Sequence, residues 1–107
     1  MSEEYIGTIL EDIGKWHEAR NLVDGSTDQA QFVKLTEELG EVAAAVARNK
    51  KEELVDGIGD MLVVLKNIAM RNDISLSYCA LQAYKEIAPR KGRMVDGVFI
   101  KEEDLTS

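Results

Sequence analysis

Apolar residues return every three or four positions through most of the chain, the period of a helix buried along one side. From about Glu3 to Arg20 the repeat runs through Ile6, Ile9, Leu10, Ile13, Trp16, His17 and Arg20. The stretch from Asn21 to Thr27 breaks it with turn residues, and Thr27 or Asp28 suits an N-cap. A second helix is predicted from about Gln29 to Arg48, with Phe32, Leu35, Leu39, Val42 and Val46 as its apolar stripe. After the polar joint Asn49-Lys50-Lys51, a third runs from about Glu52 to Met70, with Leu54, Ile58, Met61, Leu62, Leu65 and Ile68 on one side. Asn72-Asp73 ends it, and Ser75 or Ser77 caps a fourth helix that stops near Ile87, before Pro89. The tail from Gly92 carries Val95-Asp96-Gly97-Val98 between apolar flanks and suits a short hairpin. Short joints imply antiparallel neighbours, so the expected fold is all-α, a four-helix bundle with a short extended C-terminal tail.

Composition narrows the class. The chain has 107 residues, the size of one domain over 1–107, and 45% of them are hydrophobic, which excludes disorder. Its one cysteine, Cys79, excludes a disulfide scaffold. No apolar run approaches the ~18 residues of a membrane span, and the first ten residues are acidic where a signal peptide would be basic. A soluble, cytoplasmic protein is expected. The net charge of -7 repels a phosphate polymer, so nucleic-acid binding is disfavoured. A small phosphorylated ligand remains compatible if metal ions screen the carboxylates.

Those carboxylates are arranged. On the second helix Glu38 and Glu41 lie about 60° apart on one side, with Lys34 along the same row. On the third, Glu53, Asp56 and Asp60 share a face at i, i+3 and i+7, beside Val63, Val64 and Asn67. The run Ile58 to Leu65 is thus apolar nearly all round, with Asp60 embedded in it. A helix apolar on both sides is buried on both sides, which calls for a second subunit. Buried carboxylates without a cation cost several kcal/mol each or shift their pKa and neutralise. Lys34 is the one basic neighbour, so a hard divalent cation with oxygen ligands is the economical answer. Magnesium fits, with manganese as a substitute, and no Cys or His cluster suits zinc. His17 reads as a packed or surface histidine rather than a ligand. Gly7, Gly14, Gly40, Gly57 and Gly59 fall inside helical patterns, at about 1 kcal/mol each relative to alanine, a cost that signals close backbone approach by another helix or by a ligand.

The ordered set KLTEELGEV, a polar joint and DGIGDMLVVL resembles the MazG-like all-α nucleoside triphosphate pyrophosphohydrolases, whose signature is E-x-x-E, a spacer, then E-x-x-D. WHEARNL resembles the entry to that fold, and YKEIAPRKGRMVDGVFIKEED the end of its small phage-type members. The resemblance implies a homodimer, or a dimer of dimers as a homotetramer, that hydrolyses (deoxy)nucleoside triphosphates with magnesium to a monophosphate and pyrophosphate. By position Glu38 and Glu41 match the first pair and Asp60 the terminal aspartate. Gly57 stands where the family has glutamate; Asp56, one turn before Asp60, is the preferred substitute, and Glu53 with Asp56 the alternative register.

Metal-bridged phosphates and an activated water suit this residue set, and Glu37, left uncoordinated, is a candidate general base. Trp16 is either core or a wall on which a base stacks. Lys85, Arg90, Lys91 and Arg93 form the main basic cluster, a solvated run or, by resemblance, a contact to the leaving phosphates. The rival class is a non-enzymatic helical oligomerisation or regulatory module whose acidic rows bind a structural ion.

Overall fold

The computed structural model describes residues 5–105. Helices α1 (Ile6–Ala19), α2 (Asp28–Arg48), α3 (Lys51–Arg71) and α4 (Leu76–Ile87) are followed by strands β1 (Gly92–Val95) and β2 (Val98–Lys101) and the short α5 (Glu102–Leu105). All four expected helices form within a few residues of their predicted ends; the expected start near Glu3 lies outside the described residues. Thr27, not Asp28, caps α2, its Oγ1 accepting from the Ala30 amide at 3.0 Å. The chain forms two compact units that divide between Leu76 and Ser77.

In the first unit α3 packs against both α1 and α2, most extensively α2. The joint between α2 and α3 is two residues long because Asn49 takes the left-handed conformation (φ 56°) and Lys50 N–H closes back on the Ala45 carbonyl at 3.0 Å. So tight a turn returns α3 antiparallel along α2. Where the helices cross, Gly57 is buried, and a Cβ on it would fall 2.8 Å from Val42 Cγ2. Gly14 serves α1 in the same way: a Cβ there would meet Lys66 Cε at 2.9 Å and Met70 Sδ at 3.2 Å. His17 Nε2 donates to the Val63 carbonyl at 2.9 Å, which fixes its tautomer and confirms it as a packed histidine. The far end of α3 grips the loop between α1 and α2. Asn67, with no exposure at all, donates to Leu22 O at 2.9 Å. One turn on, Arg71 donates to Val23 O and pairs with Asp28 at 2.9 Å.

The interior of this unit is small and polar: Leu10, Gly14, His17, Glu38, Ala45, Gly57, Val64, Asn67 and Ala69. This corrects the expected core. Phe32, Leu39 and Val46 on α2 and Ile58 on α3 are at least half exposed, whereas Val64 and Asn67, placed on the opposite side by the sequence pattern, are buried. Helix α3 carries two apolar faces, as expected, but the first unit covers the one that bears Asn67. Approach by another helix holds for Gly14 and Gly57, whereas a Cβ on Gly40 or Gly59 would meet nothing within 4 Å among the described residues.

The second unit holds nearly all of α4 and an antiparallel hairpin in which Val95 pairs with Val98. Asp96 and Gly97 make the two-residue turn, both at positive φ (51° and 82°), the conformation that Asp-Gly tolerates best. Helix α5 packs on both strands and was not foreseen. Among the described residues no helix is long and apolar enough to cross a membrane.

The glycines give opposite expectations. Gly57→Ala should destabilise the protein by about 1–2 kcal/mol, since displacing Val42 outweighs the gain in helix propensity. Gly59→Ala has room and should stabilise by about 0.5–1 kcal/mol. Denaturant melts of the two variants check both signs; a loss at Gly59 would mean that another chain covers it.

Candidate metal and nucleotide site

Three carboxylates meet across the α2–α3 contact. One oxygen each from Glu38, Glu41 and Asp60 lies within 4.8 Å of the others. The antiparallel register does this: the crossing that sets Gly57 on Val42 brings Asp60, one turn on, level with Glu38, one turn back. Glu38 is the buried member, 4% exposed, while Glu41 and Asp60 are exposed. The expectation that Asp60 is embedded is thereby corrected, because the apolar face behind it stays open in this chain.

Glu38 divides its two oxygens. Lys34 Nζ reaches Oε1 at 3.2 Å, and Glu37 at a longer 3.8 Å. The other oxygen, Oε2, is buried with no hydrogen-bond partner among the described residues. The Lys34 ammonium is held protonated above its ordinary value, first by its hydrogen bond to Glu38 and then by that group's charge. Glu41 is pushed up by a hydrogen bond to Glu38 and by its negative charge. Asp60 is pushed up by burial first, then by the charges of Glu38 and Asp56. Three carboxylates against the one ammonium of Lys34 leave the cluster short of positive charge. An orphaned buried oxygen and a set of hard oxygen donors fit a divalent cation, with Glu38, Glu41 and Asp60 as its holders.

Two cavities flank this cluster, and Asp60 lines both. One, of about 330 Å³, is lined by Glu41, Ala44, Arg48, Glu53, Asp56, Gly57 and Asp60. Asp56 and Glu53, the two candidates for the fourth position, therefore face the same space. A side chain at Gly57 could not enter this space without moving Val42. The other cavity, of about 630 Å³, is mostly apolar and is lined by Ile9, Asp12, Ile13, Trp16, Asp60 and Val63. Trp16 is 46% exposed and belongs to a cavity wall rather than the core. The Arg20 guanidinium stacks over the indole, 4.3 Å from the ring centroid.

Glu37 is exposed and turned toward Lys34, outside the three-carboxylate cluster. Lys85, Arg90, Lys91 and Arg93 lie in the second unit, where Arg90 reaches Glu86 at 3.8 Å. Sequence reasoning passed over Arg48, Arg20 and Asp12. Arg48 shows only as the last residue of α2, and its place in the acidic cavity depends on the tight turn that follows. Arg20 and Asp12 were detectable as the i+4 and i−4 neighbours of Trp16.

The first unit thus sets an acidic cluster at the crossing of a helical hairpin, with a cavity walled by Trp16 beside it. The family model of the MazG nucleotide pyrophosphohydrolase domain matches residues 26–92, more than half of the chain. The chain belongs to this family. The match covers α2, α3 and α4 and begins after α1. An uncharacterized 18.2 kDa protein from the rep-hol intergenic region of Haemophilus phage HP1 (strain HP1c1) is 47% identical over 66 residues. Those residues are 62% of this chain and 40% of that relative's length. No solved structure matches.

The raised carboxyls have a consequence with a definite sign. Folded Glu41 and Asp60 bind protons more readily than their unfolded values of 4.5 and 3.8. Their contribution to stability is therefore fully present below those values and is lost as pH rises through the folded ones. In metal-free buffer the melting temperature of Asp60→Asn should climb relative to the parent as pH is raised from about 4 toward 7. Magnesium should close that gap at neutral pH by stabilising the parent alone. A gap that is constant with pH and unmoved by magnesium would contradict the cluster's electrostatics.

Proposed function

We propose that the chain is a magnesium-dependent nucleoside triphosphate pyrophosphohydrolase that releases a monophosphate and pyrophosphate, serving nucleotide-pool housecleaning or control. The observation that carries this reading is Asp60, which lines an acidic cavity on one side and an apolar, tryptophan-walled cavity on the other. A nucleotide has the same division, an anionic end that needs cations and a flat apolar end that needs an aromatic surface. Family membership supports the reaction class, and manganese is an alternative ion.

In this mechanism Glu38, Glu41 and Asp60 hold the metal, with Asp56 or Glu53 completing the set from the same cavity. Held by these residues, a divalent cation would supply charge neutralisation for the phosphates and a bound water of lowered pKa. Lys34 fixes the orientation of Glu38 through the 3.2 Å contact at Oε1, which leaves Oε2 without a hydrogen-bond partner among the described residues and available to an ion. Arg48 adds a positive charge to the acidic cavity and meets phosphate oxygens there. Glu37, more distant and exposed, accepts the proton of the attacking water only if that water lies on the Lys34 side. Trp16 offers the base a stacking surface, its indole already polarised by Arg20.

The exposed Phe32, Val33, Leu39, Val46, Val55 and Ile58 on α2 and α3 support assembly into a homodimer or homotetramer. These residues leave more apolar surface uncovered on two helices than scattered exposure accounts for, while the interior spends its positions on Glu38 and Asn67.

With magnesium, the protein should convert at least one triphosphate to its monophosphate and pyrophosphate, without inorganic phosphate as the primary product. Asp60→Asn and Glu38→Gln should each lower turnover by roughly a hundredfold or more while the protein stays folded. Near-normal turnover by Asp60→Asn would remove the metal assignment.

Trp16→Ala should act mainly on KM, since stacking is made in ground and transition states alike. Losing one aromatic–base stack is worth about 1–3 kcal/mol, so kcat/KM should fall roughly 5- to 150-fold with kcat little changed. A fall in kcat at unchanged KM would take the base away from Trp16.

A further inference from the structure

The larger cavity contains one polar group that the proposed chemistry leaves unused. Ile9, Asp12, Ile13 and Trp16 stand at i, i+3, i+4 and i+7, a single face of α1 directed at α3. Within this face Asp12 is a carboxylate among isoleucines and an indole, with no hydrogen-bond or ion-pair partner among the described residues. An acid in an otherwise apolar wall loses hydration as a ligand fills the space, and that loss is recovered only if the ligand donates to it. It also repels phosphate, so the end of the ligand that faces Asp12 is not the anionic end.

The register of the helices says which end it is. His17 meets Val63, and Gly14 meets Lys66 and Met70, so α1 runs antiparallel to α3. Asp60 precedes Val63 on α3 and therefore marks the end of the cavity beyond His17. Asp12 and Ile9 lie toward the opposite end, Asp12 as its polar group, and Trp16 lies between Asp12 and Asp60. A nucleotide with its phosphates at Asp60 and its base on Trp16 thus turns the far edge of the base, not its sugar, toward Asp12.

Resting on the nucleotide reading above, we propose that Asp12 reads the base and selects guanine. An ionised carboxylate only accepts, at two oxygens side by side. Guanine presents two adjacent donors, N1–H and the N2 amino group, in matching geometry. Adenine and cytosine set one amino group beside a ring-nitrogen acceptor, and thymine and uracil set one N–H between two carbonyls, so each directs a lone pair at the carboxylate. Discrimination of this kind is strong because a wrong base leaves buried groups unpaired.

The test measures kcat/KM with magnesium for dGTP, dITP, dTTP and GTP, on the full chain and on Asp12→Asn. The parent should prefer dGTP over dTTP by at least tenfold, and dITP, which lacks the N2 amino group, should lose most of that advantage. Asp12 is exposed on a helix, so the variant should fold, as far-UV circular dichroism will show. In Asp12→Asn the dGTP-to-dTTP ratio should fall at least tenfold, mainly through KM. A ratio unchanged by the substitution overturns the inference and leaves the nucleotide reading intact. A change confined to the GTP-to-dGTP ratio also overturns it, since Asp12 would then be reading the sugar. No hydrolysis of any triphosphate by the parent would remove the nucleotide reading itself, and this inference with it.

Discussion

The site depends on how closely α2 and α3 approach each other at Gly57. The missing side chain lets Val42 settle against the α3 backbone, and the antiparallel register then places Asp60 level with Glu38. A wider crossing would separate the carboxylates and leave Glu38 hydrated on both oxygens. The two-residue joint enforces the same register from the other end, since the left-handed Asn49 gives α3 little freedom in where it starts. The position that packing reserves for glycine is also the one where the sequence pattern leads one to expect a glutamate, and Asp56 and Glu53 line the cavity beside it.

That geometry creates an electrostatic debt. Three carboxylates within 4.8 Å are offset by the single charge of Lys34, which reaches one oxygen of the buried Glu38 and leaves the other orphaned. Removing Lys34 alone would deepen the imbalance, whereas removing a carboxylate relieves it. Sites tuned for binding have this asymmetry, because the stabilising partner is meant to arrive from outside.

The elements were legible in the sequence because each has a local cause: the 3–4 periodicity of α1 to α3, the Thr27 cap, the Asn49 joint and the Asp-Gly turn. Glu38 and Glu41 were legible too, since i, i+3 spacing on one helix needs no tertiary knowledge, and Asp60 was legible from the apolar run MLVVL that follows it. Which face of α3 turns inward was not. Both faces are apolar, and the choice rests on Asn67 and Arg71 gripping the loop at Leu22 and Val23, contacts about 45 residues apart in sequence. The misplacement of Asp60 as buried follows from the same ambiguity. Asp12 and Arg48 were missed because each is an ordinary surface residue until a second helix forms a cavity beside it.

The inward turn of the Asn67 face has a cost that the molecule has not yet recovered within one chain. It commits buried volume to Asn67, His17 and Glu38 and leaves Phe32, Leu39, Val46 and Ile58 in water, an order opposite to the usual one. The unused apolar surface flanks Gly40 and Gly59, the glycines that sit next to Glu41 and Asp60 and have open space above them. A second copy laid on this face would bury side chains that the first chain cannot reach. It would also strip water from around Glu41 and Asp60, raising the cost of leaving them uncompensated and so tightening their hold on a cation. Assembly and metal binding would then be coupled through the same two helices: the polar interior positions the ligands, and the apolar exterior lowers the dielectric around them.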